Sequence, residues 1–197
     1  RKAHVRKQDL ITEGRIAGKA AVNYLDDMDD TQLDEAEISR LEEEIFQPME
    51  LYEVGRNEIV AGTVSPTYIL PIHALQRLEK LMDEYCGGIG VNYMTNDQLL
   101  NRGLDLLQML KEDAEHIGAD SLHQLMRTWE FKHRLVASEC VTQHTLFREE
   151  TRWPGYYYRG DHMKLNDDDW HCFTLSQYDR ESDKWTMEKA PVYHIID

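Results

Sequence analysis

Glu130 and His133 stand three residues apart, and His144 follows eleven residues later. On one helix all three fall near a single face, the Glu-x-x-His geometry that di-metal carboxylate bundles use. Such a centre also needs a second Glu-x-x-His and two more inward glutamates on facing helices, and no other segment supplies them. These histidines therefore read as core or interface residues. Asp161, His162, Asp167, Asp168, Asp169 and His171 form a second group, rich in the oxygen atoms a hard cation takes. Their spacing matches no calcium loop and reads as a charged turn with capping carboxylates. Gly-x-Ser-x-Gly, P-loop, Cys-x-x-Cys and strand-to-helix Gly-x-Gly-x-x-Gly patterns are absent. No catalytic residue and no metal ligand is assigned from the residue pattern.

The most informative segment is residues 149–161, Glu-Glu-Thr-Arg-Trp-Pro-Gly-Tyr-Tyr-Tyr-Arg-Gly-Asp, which closes on the acidic run 167–169 and Trp170. Trp153, Tyr156, Tyr157 and Tyr158 crowd one turn-rich stretch, and leaving such rings in water forgoes roughly 1.5–3 kcal/mol each. Arg152 and Arg159 are permanent cations with planar forks suited to carboxylates or phosphates. The expectation is an interface. Arg152, Arg159 and Asp161 would make ion pairs across it, and Trp153, Tyr156, Tyr157, Tyr158 and Trp170 would anchor it.

The elements that must position this loop are mostly helical. Residues 12–25 read as a helix with small residues on one face. A second helix at 31–46 carries Leu33, Ile38, Leu41 and Ile45, and Pro48 is expected to stop it. Residues 48–66 read as a connector, with a short strand at 58–60. Ile72, Leu75, Leu78, Met82 and Tyr85 form one stripe, and Gly87 and Gly88 provide a stop. Thr95 and Gln98 have capping-box spacing before Leu99, Gly103, Leu107, Leu110 and Ala114. A longer helix, from Asp120 or Ser121 to about residue 150, has the expected stripe Leu122, Met126, Trp129, His133, Val136, Cys140, His144 and Phe147.

Three amphipathic helices joined by short turns predict an antiparallel three-helix bundle. Residues 172–178, a polar turn at 179–184, then 185–187 and 192–196 predict a C-terminal hairpin. The predicted fold is thus mainly α. It comprises a terminal helical segment (1–30), an acidic helix and connector (31–70), the bundle (71–152), and the aromatic loop with hairpin and irregular tail (153–197).

Composition narrows the function classes. Asp and Glu number 37 against 22 Lys and Arg, a net charge of −15, which repels a phosphate backbone and argues against a nucleic-acid partner. Much of the acid lies between Asp26 and Glu44 and reads as a solvated helix face. No apolar run approaches the ~20 residues of a membrane span. No export signal opens the chain, and Cys86, Cys140 and Cys172 are odd in number and far apart. The expectation is a cytoplasmic protein with reduced thiols.

Residues 149–161 with Trp170 resemble the Glu-Ser-Arg-Gly-Ala-His-x-Arg-x-Asp…Asn-Trp signature in the C-terminal helical domain of fumarate reductase/succinate dehydrogenase flavoproteins. Residues 81–87 and 104–110 are similar to the same domain. Within that family, Arg152 to Arg159 and residues 71–80 look like adenylylsulfate reductase α subunits. The resemblance implies FAD in a complete subunit and reduction of adenylylsulfate to sulfite and AMP. It also implies an iron–sulfur β subunit with two 4Fe-4S clusters as electron donor.

Residues 12–19 look like the last helix of the family's flavin domain. By that resemblance Glu13, Gly14 and Arg15 would lie at a helix start near the flavin, where free N–H groups favour a reduced, anionic flavin. The family's Gly-rich dinucleotide loop and its capping domain are missing. This implies a C-terminal piece of a longer subunit, inactive alone, with the rest of that subunit and the β subunit as partners. The competing expectations are a stand-alone helical interaction module and a fumarate- or succinate-type fragment. The Trp-Pro-Gly-Tyr variant argues against the latter.

Overall fold

The computed structural model describes residues 2–26, 28, 34–58, 65–152 and 154–192, side chains of 2–11 excepted. Two compact units are distinct, Arg1–Glu43 and Glu44–Asp197. In the first, α1 (Lys2–Asp26) is one helix, longer than the 12–25 expected, because residues 2–11 contain neither proline nor glycine. Its described side chains are exposed, Ile16, Val22, Tyr24 and Leu25 among them. Asp34 caps the start of α2 (Glu35–Gly55) by accepting the Ala36 N–H at 2.9 Å.

Pro48 does not end α2, contrary to expectation; the helix runs seven residues further. A proline in a helix forfeits one N–H bond and crowds the preceding turn. Here it is compensated from outside. Pro48 is fully buried, its carbonyl accepts the Ala119 N–H at 2.8 Å, and Tyr52 one turn on packs its ring 5.1 Å from Tyr68. The strand expected at 58–60 falls largely on residues outside those described.

The second unit contains the bundle: α3 (Pro71–Tyr85), α4 (Asp97–Ala114) and α5 (Leu122–Phe147), each packed on the other two. Its core is Ala74, Leu78 and Leu81 from α3, Leu107, Leu110 and Ala114 from α4, and Phe131 and Leu135 from α5, with Ile117 between helices. Pro71 opens α3 at a position where its absent N–H costs nothing. Gly87 closes it in the left-handed region at φ +85°, and the Gly88 N–H bonds back to Asp83 O at 3.0 Å.

Two local expectations shift. Thr95 is not the α4 cap: it is fully buried and donates to Tyr85 O at 2.6 Å, tying α4 to the end of α3. Asn96 caps instead, accepting the Leu99 N–H at 2.9 Å. On α5, Ser121 caps as expected through the Gln124 N–H. Its bundle face, however, is Leu125, Thr128, Phe131, Leu135, Glu139 and Thr142, while Leu122 and Met126 are exposed. Most of the expected stripe serves another face. Trp129 donates to Ile45 O at 3.2 Å, His144 meets hydroxyls of the C-terminal hairpin, and Phe147 meets Trp170. Thus α5 packs two layers at once.

The hairpin is β3 (Cys172–Asp179) antiparallel to β4 (Lys184–Pro191), in register from Cys172–Pro191 to Asp179–Lys184. Its second strand is continuous, where two pieces were expected; residues 193–196 lie outside those described. Its tip is held by Lys111, whose ammonium lies 2.6 Å from both Glu139 and Asp183.

Where Ile69 meets residues 116–118, Gly118 has no room for a side chain. A Cβ there would lie 2.6 Å from the Tyr68 ring, which is buried. Gly118→Ala is expected to cost about 1–3 kcal/mol by overpacking, read as a lower urea midpoint with unchanged slope.

Candidate functional site

The arginine loop lies where α5 ends, and its chemistry begins with an unmet need. The last turn of any helix leaves carbonyls without N–H partners and carries a partial negative charge. After α5 the chain turns back, pairs β2 (Tyr158–Arg159) in parallel with β1 (Met94–Thr95), and so inserts Arg159 beneath that helix end. Arg159 is 0% exposed. Its Nη1 donates to the carbonyls of Thr145 at 2.5 Å, Leu146 at 3.0 Å and Arg148 at 2.8 Å. Its Nε and Nη2 grip both Asp161 oxygens at 3.0 and 3.1 Å, and Nη2 also bonds Asp97. One guanidinium thereby joins the end of α5, the start of α4 and the loop.

The Asp97 N–H completes the pairing by donating to Asp161 Oδ2 at 2.8 Å. Burial would raise the Asp161 carboxyl, but the Arg159 fork and the Asp97 N–H hold it well below the usual carboxylate range. Asp97 moves the other way: its partial burial and the neighbouring Asp161 push it up, against the pull of Arg159. Asp97, Asp161 and His162 bring ligand atoms within 4.8 Å of one another. The cation already in this cluster is Arg159.

A second hub lies beside the first. Glu150, also 0% exposed, accepts from Arg148 at 2.6 Å, from Arg152 at 2.5 and 3.0 Å, and from the Asn166 N–H at 2.9 Å. Burial alone would raise its carboxyl; Arg152, the Asn166 N–H and Arg148 together lower it. Hydrogen bonding to Glu150 raises Arg152 in turn. Arg148 also reaches the carbonyls of Trp170 and Cys172, both at 2.9 Å, and Arg152 reaches Asp167 at 2.9 Å. The hub thus fixes α6 (Asp167–Trp170) and the start of β3. Trp170 is buried beneath it, edge-on to Phe147 at 5.5 Å, with Lys189 Nζ 3.4 Å from its ring centre.

These residues order a loop by charge. Glu130 and His133 are exposed, and His144 binds Thr174 at 3.1 Å and Ser176 at 2.9 Å, so the three do not converge. The acidic group from the sequence divides likewise. Asp167, Asp168 and Asp169 form α6, capped by Asn166, and only Asp161 and His162 join Asp97.

Residues 75–195 match the fumarate reductase flavoprotein C-terminal family. The chain belongs to that family. It is 41% identical over 185 residues to the adenylylsulfate reductase α subunit of Megalodesulfovibrio gigas, covering 93% of this chain and 28% of that protein. The solved adenylylsulfate reductase of Archaeoglobus fulgidus superposes with a TM-score of 0.89 at 48% identity, over 94% of this chain and 29% of that one. A solved adenosine-5-phosphosulfate reductase with a covalent sulfite adduct superposes at 0.90, also 48% identical, with the same coverage. The chain therefore spans under a third of the length of these relatives.

In this flavoprotein-family chain the loop residues take distinct positions. Arg152, Arg159, Asp161 and Trp170 are engaged inside the chain, Tyr157 and Tyr158 are half-buried, and Tyr156 is 78% exposed. Trp153 lies outside the described residues. Asp97, Arg148 and Glu150 are the members of the network that sequence reasoning did not single out as site residues. Asp97 sits 62 residues from Arg159, and nothing local marks the pairing.

Glu13, Gly14 and Arg15 lie in the middle of α1, which starts at Lys2 and not at Thr12, so the helix start expected beside a flavin is not formed there. Backbone N–H groups inside a helix are already bonded. Among the described residues no helix is long and apolar enough to cross a membrane.

Proposed function

We propose that this chain is the helical C-terminal portion of the flavoprotein α subunit of an adenylylsulfate reductase. The complete enzyme would bind FAD, reduce adenylylsulfate to sulfite and AMP, and draw the two electrons from an iron–sulfur β subunit in the cytoplasm. This part would brace the catalytic domains rather than react. The observation carrying the reading is the 41% identity, sustained over 93% of the chain, to an adenylylsulfate reductase α subunit. The Trp-Pro-Gly-Tyr variant of the loop supports the same choice.

The network of Arg148, Glu150, Arg152 and Arg159 shapes the loop from within. Tyr156 is then left projecting as the anchor for the rest of the subunit or for the β subunit, with Trp153 beside it in sequence. Glu13, Gly14 and Arg15 would approach the flavin only if α1 is remodelled in the complete subunit.

The chain alone is expected to bind no flavin and to show no adenylylsulfate-dependent turnover, and the native subunit should have a mass far above 23.2 kDa. Flavin absorbance, a turnover assay and an intact mass check this together. A yellow, active 23.2 kDa protein would refute it.

A further inference from the structure

We infer that the C-terminal hairpin is a hinged arm, clasped at its tip by Lys111, that lifts from α5 while the three-helix bundle stays folded. The hairpin brings little apolar surface to the bundle. Between Cys172 and Val192 no residue is fully buried, and the core cluster takes none of its members from this stretch. The pleat of β3 turns Phe173 and Leu175 out to exposed positions and Thr174, Ser176 and Tyr178 inward. Thr174 and Ser176 meet α5 through their hydroxyls on His144, contacts that water replaces when the strand moves away. Arg180 adds a pair with Glu44 at 2.9 Å, but Arg180 is exposed and such surface pairs contribute little.

The two ends of the hairpin are held differently. At its base Arg148 donates to Cys172 O, and Lys189 Nζ lies over Trp170 and donates to Asp169 O at 3.1 Å. This end is the hinge. At the tip the Lys111 ammonium lies between Glu139 of α5 and Asp183 of the turn, and Asp183 also accepts the Tyr178 hydroxyl at 2.8 Å. Glu139 is buried and would be costly to leave without a cation. Lifting the tip does not do so: Lys111 stays with Glu139, and Asp183 passes into water. The clasp therefore opens without stranding a buried charge. Away from the bundle a two-stranded hairpin is marginally stable, so its ladder loosens whenever the arm lifts. Every contact in the clasp and the hinge lies between residues of this chain.

Two thiols report the motion. Cys140 Sγ lies 3.8 Å from Ser176 Oγ, against β3, whereas Cys86 lies at the end of α3, 3.2 Å from buried Thr142 of α5. Iodoacetamide labelling of the whole chain under native conditions, resolved by peptide mass spectrometry, reads them separately. Asp183→Asn breaks the clasp from the hairpin side, keeps Lys111 with Glu139, and suits the left-handed backbone at φ +51°. It should speed Cys140 labelling about 10-fold and leave Cys86 unchanged. Amide exchange on the unmodified chain gives an independent reading. Ladder amides of β3 and β4 should exchange with a smaller urea dependence than core amides of α4 and α5, because lifting the arm exposes less surface than global unfolding. Unchanged Cys140 labelling in Asp183→Asn, or Cys140 and Cys86 accelerated in equal proportion, would overturn the proposal. So would ladder and core amides that exchange together with one urea dependence.

Discussion

Arg159→Met is expected to remove about 3–5 kcal/mol of folding stability, the cost of breaking a buried ion pair from one side. For a chain of this length that corresponds to a melting temperature lower by about 6–20 °C. The size follows from what the guanidinium leaves behind. Three carbonyls at the end of α5 lose their donor, and the adjacent carboxylates Asp97 and Asp161 lose the cation between them. Arg159→Lys should recover little, because an ammonium cannot address the helix end and two carboxylates with one planar fork. Thermal melts of the two variants check this. A Lys variant as stable as wild type would show that charge alone suffices.

The second large effect is expected at Glu150. Glu150→Gln keeps the shape but leaves Arg148 and Arg152 facing an amide in a site closed to water, a loss of about 3 kcal/mol at neutral pH. The pH dependence separates this from simple repacking. The folded carboxyl lies below its ordinary value of 4.5. The unfolded chain therefore binds the proton first as pH falls. Glu150 contributes its full stabilisation above about pH 4.5, and the contribution drains away as pH drops through the folded value. Asp161 titrates in the same sense. Urea midpoints across that range should show wild type losing stability steeply on acidification and Glu150→Gln less so, the two curves converging. A constant gap between them would mean that the carboxylate charge is not what holds the hub.

The fold was legible where one apolar stripe serves one neighbour. Leu78 on α3 and Gly103, Leu107, Leu110 and Ala114 on α4 lie at helical spacing, and all are buried. It was not legible on α5, because the bundle face there includes Thr128, Glu139 and Thr142, while Trp129, His144 and Phe147 pack elsewhere. Periodicity assigns polar residues to water. It cannot see that Thr128 and Thr142 satisfy their hydroxyls on carbonyls one turn back.

Pro48 misled for a related reason, since the residues it is buried against, Ala119 among them, lie far along the chain. The loop was recognisable by composition, but composition does not tell an arginine that waits for a partner from one already enclosed. Asp97 and the end of α5 decide that for Arg159, and both depend on the tertiary fold.

As proposed above, this loop would be structural support inside a reductase subunit and not part of its reacting centre. The most direct measurement is turnover per bound flavin in the complete adenylylsulfate reductase carrying Arg159→Met, recorded beside its melting temperature. Turnover close to wild type in the folded fraction and a clearly lowered melting temperature are expected. Turnover reduced about 100-fold at an unchanged melting temperature, the pattern of a lost transition-state interaction, would contradict it.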